Sequence, residues 1–309
     1  IGVSFGSLFG MRGDAIVNVG ERFINTPTSY DSLSFGKLFN EKSLPPFSIE
    51  VDKFVGKYDP VTNAPEDYTM WVTVKNNPEQ STEKKIVKVN SPLTFGNTRV
   101  YLQANGYSPI VTVRDPLGNV GYQGPVPFLP QDSNLSSIGA IKVPDTNPQL
   151  GFVGSFFPTI GRADEGGGIS VFPEALDPRL FLAAWTGDLG LDNGRPQSIY
   201  RIDTDDMKQI GLKSLKPGET YEFAEGSITF ETYIPWVNLQ IVQDPGKSYA
   251  LVGSILAILG LLASLFTRRR RIWVSINKKN VEVAGLAKNA APGLELEISQ
   301  LARALGRAE

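Results

Sequence analysis

The 309-residue chain contains neither cysteine nor histidine. Without cysteine it can hold no disulfide and carry out no thiol exchange, so its stability has to come from a buried core. Without histidine it lacks the commonest general base, the commonest transition-metal ligand and the commonest haem ligand. The two absences together exclude Ser-His and Cys-His catalysis and leave a Ser-Lys pair as the remaining nucleophilic option.

Charge is missing from one long segment, Tyr249–Thr267 (YALVGSILAILGLLASLFT), nineteen residues that are almost wholly apolar. As a helix it covers about 28 Å, close to the roughly 30 Å of a bilayer core, whereas a buried helix of a soluble domain normally keeps a polar stripe. It lies far from the N-terminus and lacks a small-residue cleavage site, so it is expected to be a transmembrane helix rather than a signal peptide. Arg268, Arg269, Arg270 and Arg271 follow directly, then Lys278 and Lys279, while the other flank has Lys247 alone. Basic loops stay on the cytoplasmic side, which puts the tail inside and the larger part of the chain outside. The tail holds nine Lys and Arg against four Asp and Glu, leaving 21 against 28 ahead of it. A basic tail suits anionic lipid, and nothing in the mildly acidic outer part suggests a nucleic-acid stripe.

The opening residues Ile1–Gly10 (IGVSFGSLFG) are uncharged, small and apolar, and read as the end of a preceding transmembrane helix, with a buried opening strand as the alternative. The division expected is therefore 1–10 membrane, 11–248 extracytoplasmic, 249–267 membrane and 268–309 cytoplasmic.

From Pro45 onward the apolar pattern has period two: Phe47, Ile49 and Val51, then Tyr68, Met70, Val72 and Val74. Further strands are expected at Lys84–Asn90, Arg99–Asn105, Ser108–Asp115 and Asn119–Val126, set apart by Gly, Pro and Asn turn signals about every ten residues. The stretch Phe128–Gly168 is rich in Pro and Gly and reads as long ordered loops. Strands resume at Arg179–Trp185, Ser198–Asp203, Thr220–Phe223, Ser227–Tyr233 and Trp236–Val242. The fold class expected is mainly β, an antiparallel sandwich or barrel-like extracytoplasmic domain with one C-terminal transmembrane helix. Trp236 and Tyr249 are placed as aromatic anchors near the outer interface and Trp273 near the inner one. In the tail, Ile272–Ile276 and Val281–Leu286 read as a hairpin, and Leu294, Ile298, Leu301 and Leu305 give a short helix one apolar face.

Motifs of catalysis and metal binding are weak. Asp203, Asp205 and Asp206 lack the glycine and distal glutamate of an EF-hand, and Asp188, Asp192 and Asn193 are explained by a turn. Gly166–Gly168 lacks the Lys-Ser/Thr of a phosphate cradle. Asn134-Leu135-Ser136 is a formal glycosylation sequon. Met11, Met70 and Met207 are possible iron ligands in principle and core filler in ordinary practice. No catalytic or metal-binding residue is assigned, and a surface enzyme is disfavoured.

Several phrases, read in order, form a pattern: FINTPTSYDSLSFGKLFNEKSLPPFSIEVDKF, then VNSPLTFGNTRVYLQANGYSPIVTVRDPLGNVGYQGPVPFLPQD, then GDLGLDNGRPQSIYRIDT, then DPGK before the apolar segment and RRRRIWVSI after it. They resemble the ResB-like family of cytochrome c biogenesis proteins of the system II pathway, in its actinobacterial form. The resemblance implies three earlier spans, a large outer domain and a final span in the cell membrane. It also implies a ResC-type partner that carries haem through the bilayer, a thioredoxin-like thiol reductase and apocytochrome c as client. The role implied is a non-catalytic scaffold presenting haem and apocytochrome c outside the membrane. Some family members carry functional histidine or cysteine; here haem is expected to be bound through the complex rather than by this chain. The candidate partner or structural motif is Asn90, Pro92, Leu93, Gly96, Tyr101, Gly106 and Tyr107, with Arg114 and Asp115 next. The alternative is a membrane-tethered module that binds a small ligand or cell-wall component.

Overall fold

The computed structural model describes residues 2–161, 168–191, 198, 200–266, 270–277, 280–287 and 292–305. In chain order the first half comprises α1 (Gly2–Phe9), β1 (Met11–Asn18), β2 (Arg22–Ile24), β3 (Ser32–Phe35), β4 (Ser48–Tyr58), β5 (Pro65–Lys75), β6 (Glu83–Lys88), β7 (Leu93–Phe95), β8 (Thr98–Arg114) and β9 (Val120–Pro125). The second comprises β10 (Leu129–Pro130), β11 (Ser137–Val143), β12 (Leu150–Phe157), β13 (Thr159–Gly161), β14 (Ile169–Phe172), β15 (Arg179–Thr186), β16 (Lys208–Leu215), β17 (Glu219–Phe223) and β18 (Gly226–Gln243). Then come α2 (Gly246–Phe266), β19 (Arg270–Asn277), β20 (Asn280–Ala287) and α3 (Leu294–Leu305). The chain divides into two compact units, Gly6–Pro245 and a second made of Ile1–Phe5 with Gly246–Glu309.

The larger unit is mainly β, as the period-two pattern requires, and no sheet among the described residues closes into a barrel. Its spine is the antiparallel pair of β8 and β18, in register from Thr98 opposite Gln243 to Arg114 opposite Ser227. Strands of 17 and 18 residues are far longer than the usual five or six. Two register shifts, at Phe230/Thr232 and Asn238/Leu239, let so long a pair bend and twist. The pair lies within a seven-stranded sheet of order β3-β1-β18-β8-β7, with β17 on β18 and β9 on β8.

Each end of this pair contributes to a different core. At one end Val100 of β8 and Val237, Leu239 and Ile241 of β18 pack with Ile49 and Val51 of β4 and Met70, Val72 and Val74 of β5, from the sheet β2-β4-β5-β6. At the other, Val111, Val113, Ile228 and Phe230 pack with Phe152 and Phe156 of β12 and Leu180 and Leu182 of β15, from the sheet β10-β11-β12-β15-β16. Burying each such side chain stabilises by about 1.5–3 kcal/mol, so neither core is incidental.

The structure departs from the sequence reading in five places. Of the strand expected at Ser198–Asp203, the described residues 198 and 200–203 form none, and the Tyr200 hydroxyl donates to Asp31 instead. The strands expected at Arg99–Asn105 and Ser108–Asp115 are one strand, as are Ser227–Tyr233 and Trp236–Val242. The Gly106, Pro109 and Pro235 signals that suggested turns lie inside those strands: the indole of Trp236 sits where a side chain on Gly106 would go, and the Pro235 and Pro109 carbonyls accept from Val19 and Val126. The expected loops of Phe128–Gly168 contain β10 to β13, because their glycines serve packing. Trp236 is 2 % exposed and donates from Nε1 to the carbonyls of Tyr107 and Phe128, so it is a core residue and no membrane anchor.

In the smaller unit α2 has 21 residues and is the candidate membrane span, with its Ser254 hydroxyl donating back to the Ala250 carbonyl. That internal bond satisfies the one hydroxyl at mid-helix, as an apolar environment demands. The Phe5 ring meets Tyr249 edge-on at 5.4 Å. The tail forms the expected hairpin of β19 and β20, and α3 lays Ile298 and Leu294 against Gly285 of β20. Glu295 and Glu297 in its first turn and Arg303 in its last complement the helix dipole.

Candidate functional site

A cleft of about 290 Å³ opens between the end of β4, the middle of β8 and the segment joining β14 to β15. Phe54, Val55, Gly56 and Tyr58 form one wall, Asn105, Gly106 and Tyr107 another, and Glu174 and Pro235 complete it. It lies where the two cores meet. Tyr58 belongs to the end of β4, beyond a register shift at Lys57/Tyr58, and Asn105 and Tyr107 fall two apart on β8.

Hydrogen bonds and ring contacts fix these side chains. The Asn105 amide donates to the Tyr58 hydroxyl at 3.2 Å, with both residues more than nine-tenths buried. The Tyr58 ring is edge-on to Tyr68 at 5.9 Å and to Phe172 at 6.3 Å. Tyr107 lies edge-on to Tyr233 at 5.6 Å. The Tyr107 hydroxyl donates to the Pro173 carbonyl at 3.1 Å and the Tyr233 hydroxyl to the Ala175 carbonyl at 3.2 Å. The two phenols thus clasp the segment that carries Glu174. Beneath the cleft, Ser108 Oγ donates to Asn18 Oδ1 at 2.6 Å.

Burial pushes the Tyr58 phenol far above its ordinary range, and the Asn105 amide offsets only part of that. Burial does the same to Tyr107. Both stay neutral at any physiological pH, so they act as hydrogen-bonding and aromatic surface. One carboxylate, one amide and three aromatic walls make a recognition surface. Its volume lies at the lower bound of small-molecule pockets and suits an amino-acid side chain or a small ligand.

The residues expected from the sequence do not form one site. Asn90, at φ 65°, turns the chain between β6 and β7, and Pro92 and the buried Leu93 follow it into β7. Gly96, at φ 59° with open space around it, makes the two-residue turn between β7 and β8, a conformation that favours glycine. Tyr101 pairs with Gln240 and is half-buried. Gly106 and Tyr107 alone line the cleft. Arg114 donates to the Gly118 carbonyl at 3.0 Å in the β8–β9 turn, and Asp115 accepts there from the Leu117 and Asn119 amides. From Gly96 to Asp115 the strand runs about 60 Å, which no single ligand of modest size spans. Tyr58, Asn105, Glu174 and Tyr233 were not singled out; the last is 126 residues beyond Tyr107 in sequence, and only the β8–β18 register brings them together.

The weaker motifs resolve as local structure. Asp203 accepts from the Asp205 amide and Asp188 from the Gly190 amide, both as turns, and no acidic group among the described residues is arranged to hold a metal ion. The Asn134 amide donates to the Ser170 carbonyl and its oxygen accepts from Asn63. Contrary to the reading that the sequence holds no Ser-x-x-Lys, such spacings occur at Ser34–Lys37, Ser81–Lys84 and Ser275–Lys278; the first two lie on exposed segments, without the desolvation a lysine base needs, and Lys278 lies outside the described residues. Asp192, Asn193, Gly166, Gly167, Arg268, Arg269, Lys278 and Lys279 lie outside the described residues; Arg270 and Arg271 open β19.

Compared with protein-family models, residues 1–299 match the ResB-like family. A search of curated proteins finds no match.

Proposed function

The chain belongs to the ResB-like family, and from that premise we propose that it is a membrane-anchored, non-catalytic scaffold that helps present haem and apocytochrome c outside the membrane with a ResC-type partner. The family places it in cytochrome c biogenesis as a membrane-associated protein, and α2 is an apolar helix of spanning length. The match along 1–299, which takes in the β unit, α2 and the tail, is the observation that supports the reading most.

In this reading the unit Gly6–Pro245 faces outward and the arginine-flanked tail lies inside, in keeping with the positive-inside pattern. The full-length protein crosses the membrane several times, and a thioredoxin-like reductase keeps the client's cysteines reduced. Haem reaches the client through the complex. The residues present do not fit haem ligation by this chain: Met11, Met70 and Met207 are at most 8 % exposed in packed surroundings, and the cleft phenols are held neutral by burial. The chemistry this chain supplies is shape, aromatic surface and hydrogen bonding.

Purification of the full-length protein in mild detergent, with an absorbance spectrum of the eluate, tests the proposal. A haem-containing complex with a polytopic membrane partner is the expected result. A haem-free monomer, or one that brings down only a small ligand or cell-wall fragment, overturns it in favour of a tethered binding module.

A further inference from the structure

The segment 36–44, between β3 and β4, closes over the end of the β unit from which the chain passes into α2. One row of the seven-stranded sheet aligns Phe35, Met11, Gln243 and Thr98 across four strands. Gln243 is the last residue of β18, and Gly246 begins α2 three residues later. Three residues reach at most about 11 Å, so this row lies within that distance of the start of the span.

The segment is fixed to that end by backbone bonds. The Gly36 amide donates to the Gly10 carbonyl and the Leu38 amide to the Leu8 carbonyl, each at 2.9 Å, while Phe39 stacks on Phe35 at 5.0 Å. A side chain at Gly36 would strike the Leu8 carbonyl, so only glycine allows the approach. The last turn of apolar α1 is thereby held beside the loop, and Asp244 lies against Gly6 of the same turn.

What the loop then presents is an exposed aliphatic side chain between cations. Leu38 is 58 % exposed. Lys37 precedes it and Lys42 follows, both exposed, with Glu41 between; Arg12 and Arg99 are exposed on the same end and flank Val242 across the sheet. An apolar tip beside flexible cations is the arrangement that seats at a phospholipid surface, the tip entering the acyl boundary and the cations meeting phosphates.

We infer that this loop is a membrane-contact element: Leu38 enters the lipid interface while Lys37, Lys42, Arg12 and Arg99 meet phosphate headgroups. The occupant is lipid, because the feature is tied to the start of the span and its charge complements headgroup phosphate.

The absence of cysteine makes the test direct. Leu38→Cys and, as control, Leu117→Cys each give residues 1–309 a single spin-label site, any cysteine elsewhere in the full-length protein being replaced by serine; Leu117 is 87 % exposed in the β8–β9 turn, at the opposite end of β8. In phosphatidylglycerol–phosphatidylcholine vesicles, the label at 38 should collide with dissolved oxygen several-fold more, and with a water-soluble nickel chelate several-fold less, than the label at 117. Equal access of the chelate to both positions overturns the inference. Protection at 38 that arises only when a second membrane protein is co-reconstituted also overturns it, assigning the loop to a protein partner.

Discussion

In the first core Phe47 lies flat on Phe95, ring centroids 4.0 Å apart, and most other members are aliphatic. In the second, Phe156 meets Phe230 edge-on at 6.2 Å and Tyr107 and Tyr233 at 5.6 and 5.9 Å, with Phe128 and Phe152 wholly buried beside them. The two cores share β8 and β18 and yet fill space differently: one by interleaved Ile, Val and Met, the other by large rings that need small neighbours. The ring of Phe128, for example, occupies the place of a side chain on Gly139. The cleft sits at the seam between them, where Tyr58 comes from the first half and Tyr107 from the shared strand. Two continuous strands running through both cores should make them unfold together, although their packing differs.

The sharpest challenge to that comparison is Phe152→Ala. It empties a fully buried ring site in the second core and should cost about 3–5 kcal/mol. Chemical denaturation followed by tryptophan fluorescence and far-UV circular dichroism should still give one coincident transition. Two separated transitions would show that the cores are independent domains on a common strand pair. A smaller effect is expected from Gly106→Ala, whose methyl would displace the Trp236 indole; about 1–3 kcal/mol should be lost with a change in tryptophan emission. An unchanged melting curve there would mean that the seam is loosely packed.

Tyr58→Phe removes the acceptor of the Asn105 amide and should cost about 1–2 kcal/mol. It also has a pH signature. Burial raises the folded-state phenol above its unfolded value near 10, so the stability of the neutral form is complete below that value and is lost as pH rises above it. Alkaline unfolding titrations should therefore be flatter for Tyr58→Phe than for the parent chain. The smallest effect belongs to Asp115, whose carboxyl is held below the usual range, foremost by the Asn119 side-chain amide. Its contribution is present above the ordinary carboxylate value and fades as pH falls through the lowered folded value. Asp115→Asn should thus lower the melting temperature slightly at neutral pH and leave it nearly unchanged in acid, so that the acid dependence of melting becomes flatter.

The same contrast explains what could be read from sequence. Phe47, Ile49, Val51, Met70, Val72 and Val74 alternate cleanly because β4 and β5 bury one face only, and their strands were legible. The second core showed β15 and β17 but hid β11 and β12 behind Gly139, Gly151 and Gly154, where glycine serves close packing instead of turning the chain. Gly106 and Pro235 concealed the continuity of β8 and β18 for a similar reason. The apolar helix, the hairpin and α3 were local patterns and needed no tertiary knowledge. The cleft was only half legible: Gly106 and Tyr107 belong to a family phrase, while Tyr58 reaches it through strand register and Glu174 on a segment held by the Tyr107 and Tyr233 hydroxyls, which no local pattern encodes.

For a ResB-like protein of cytochrome c biogenesis, holocytochrome c is the most direct readout. Deleting the gene in a strain without a paralogue should abolish covalently haem-stained c-type cytochromes, and the full-length protein supplied in trans should restore them. Normal holocytochrome c in the deletion strain would contradict a role in cytochrome c biogenesis.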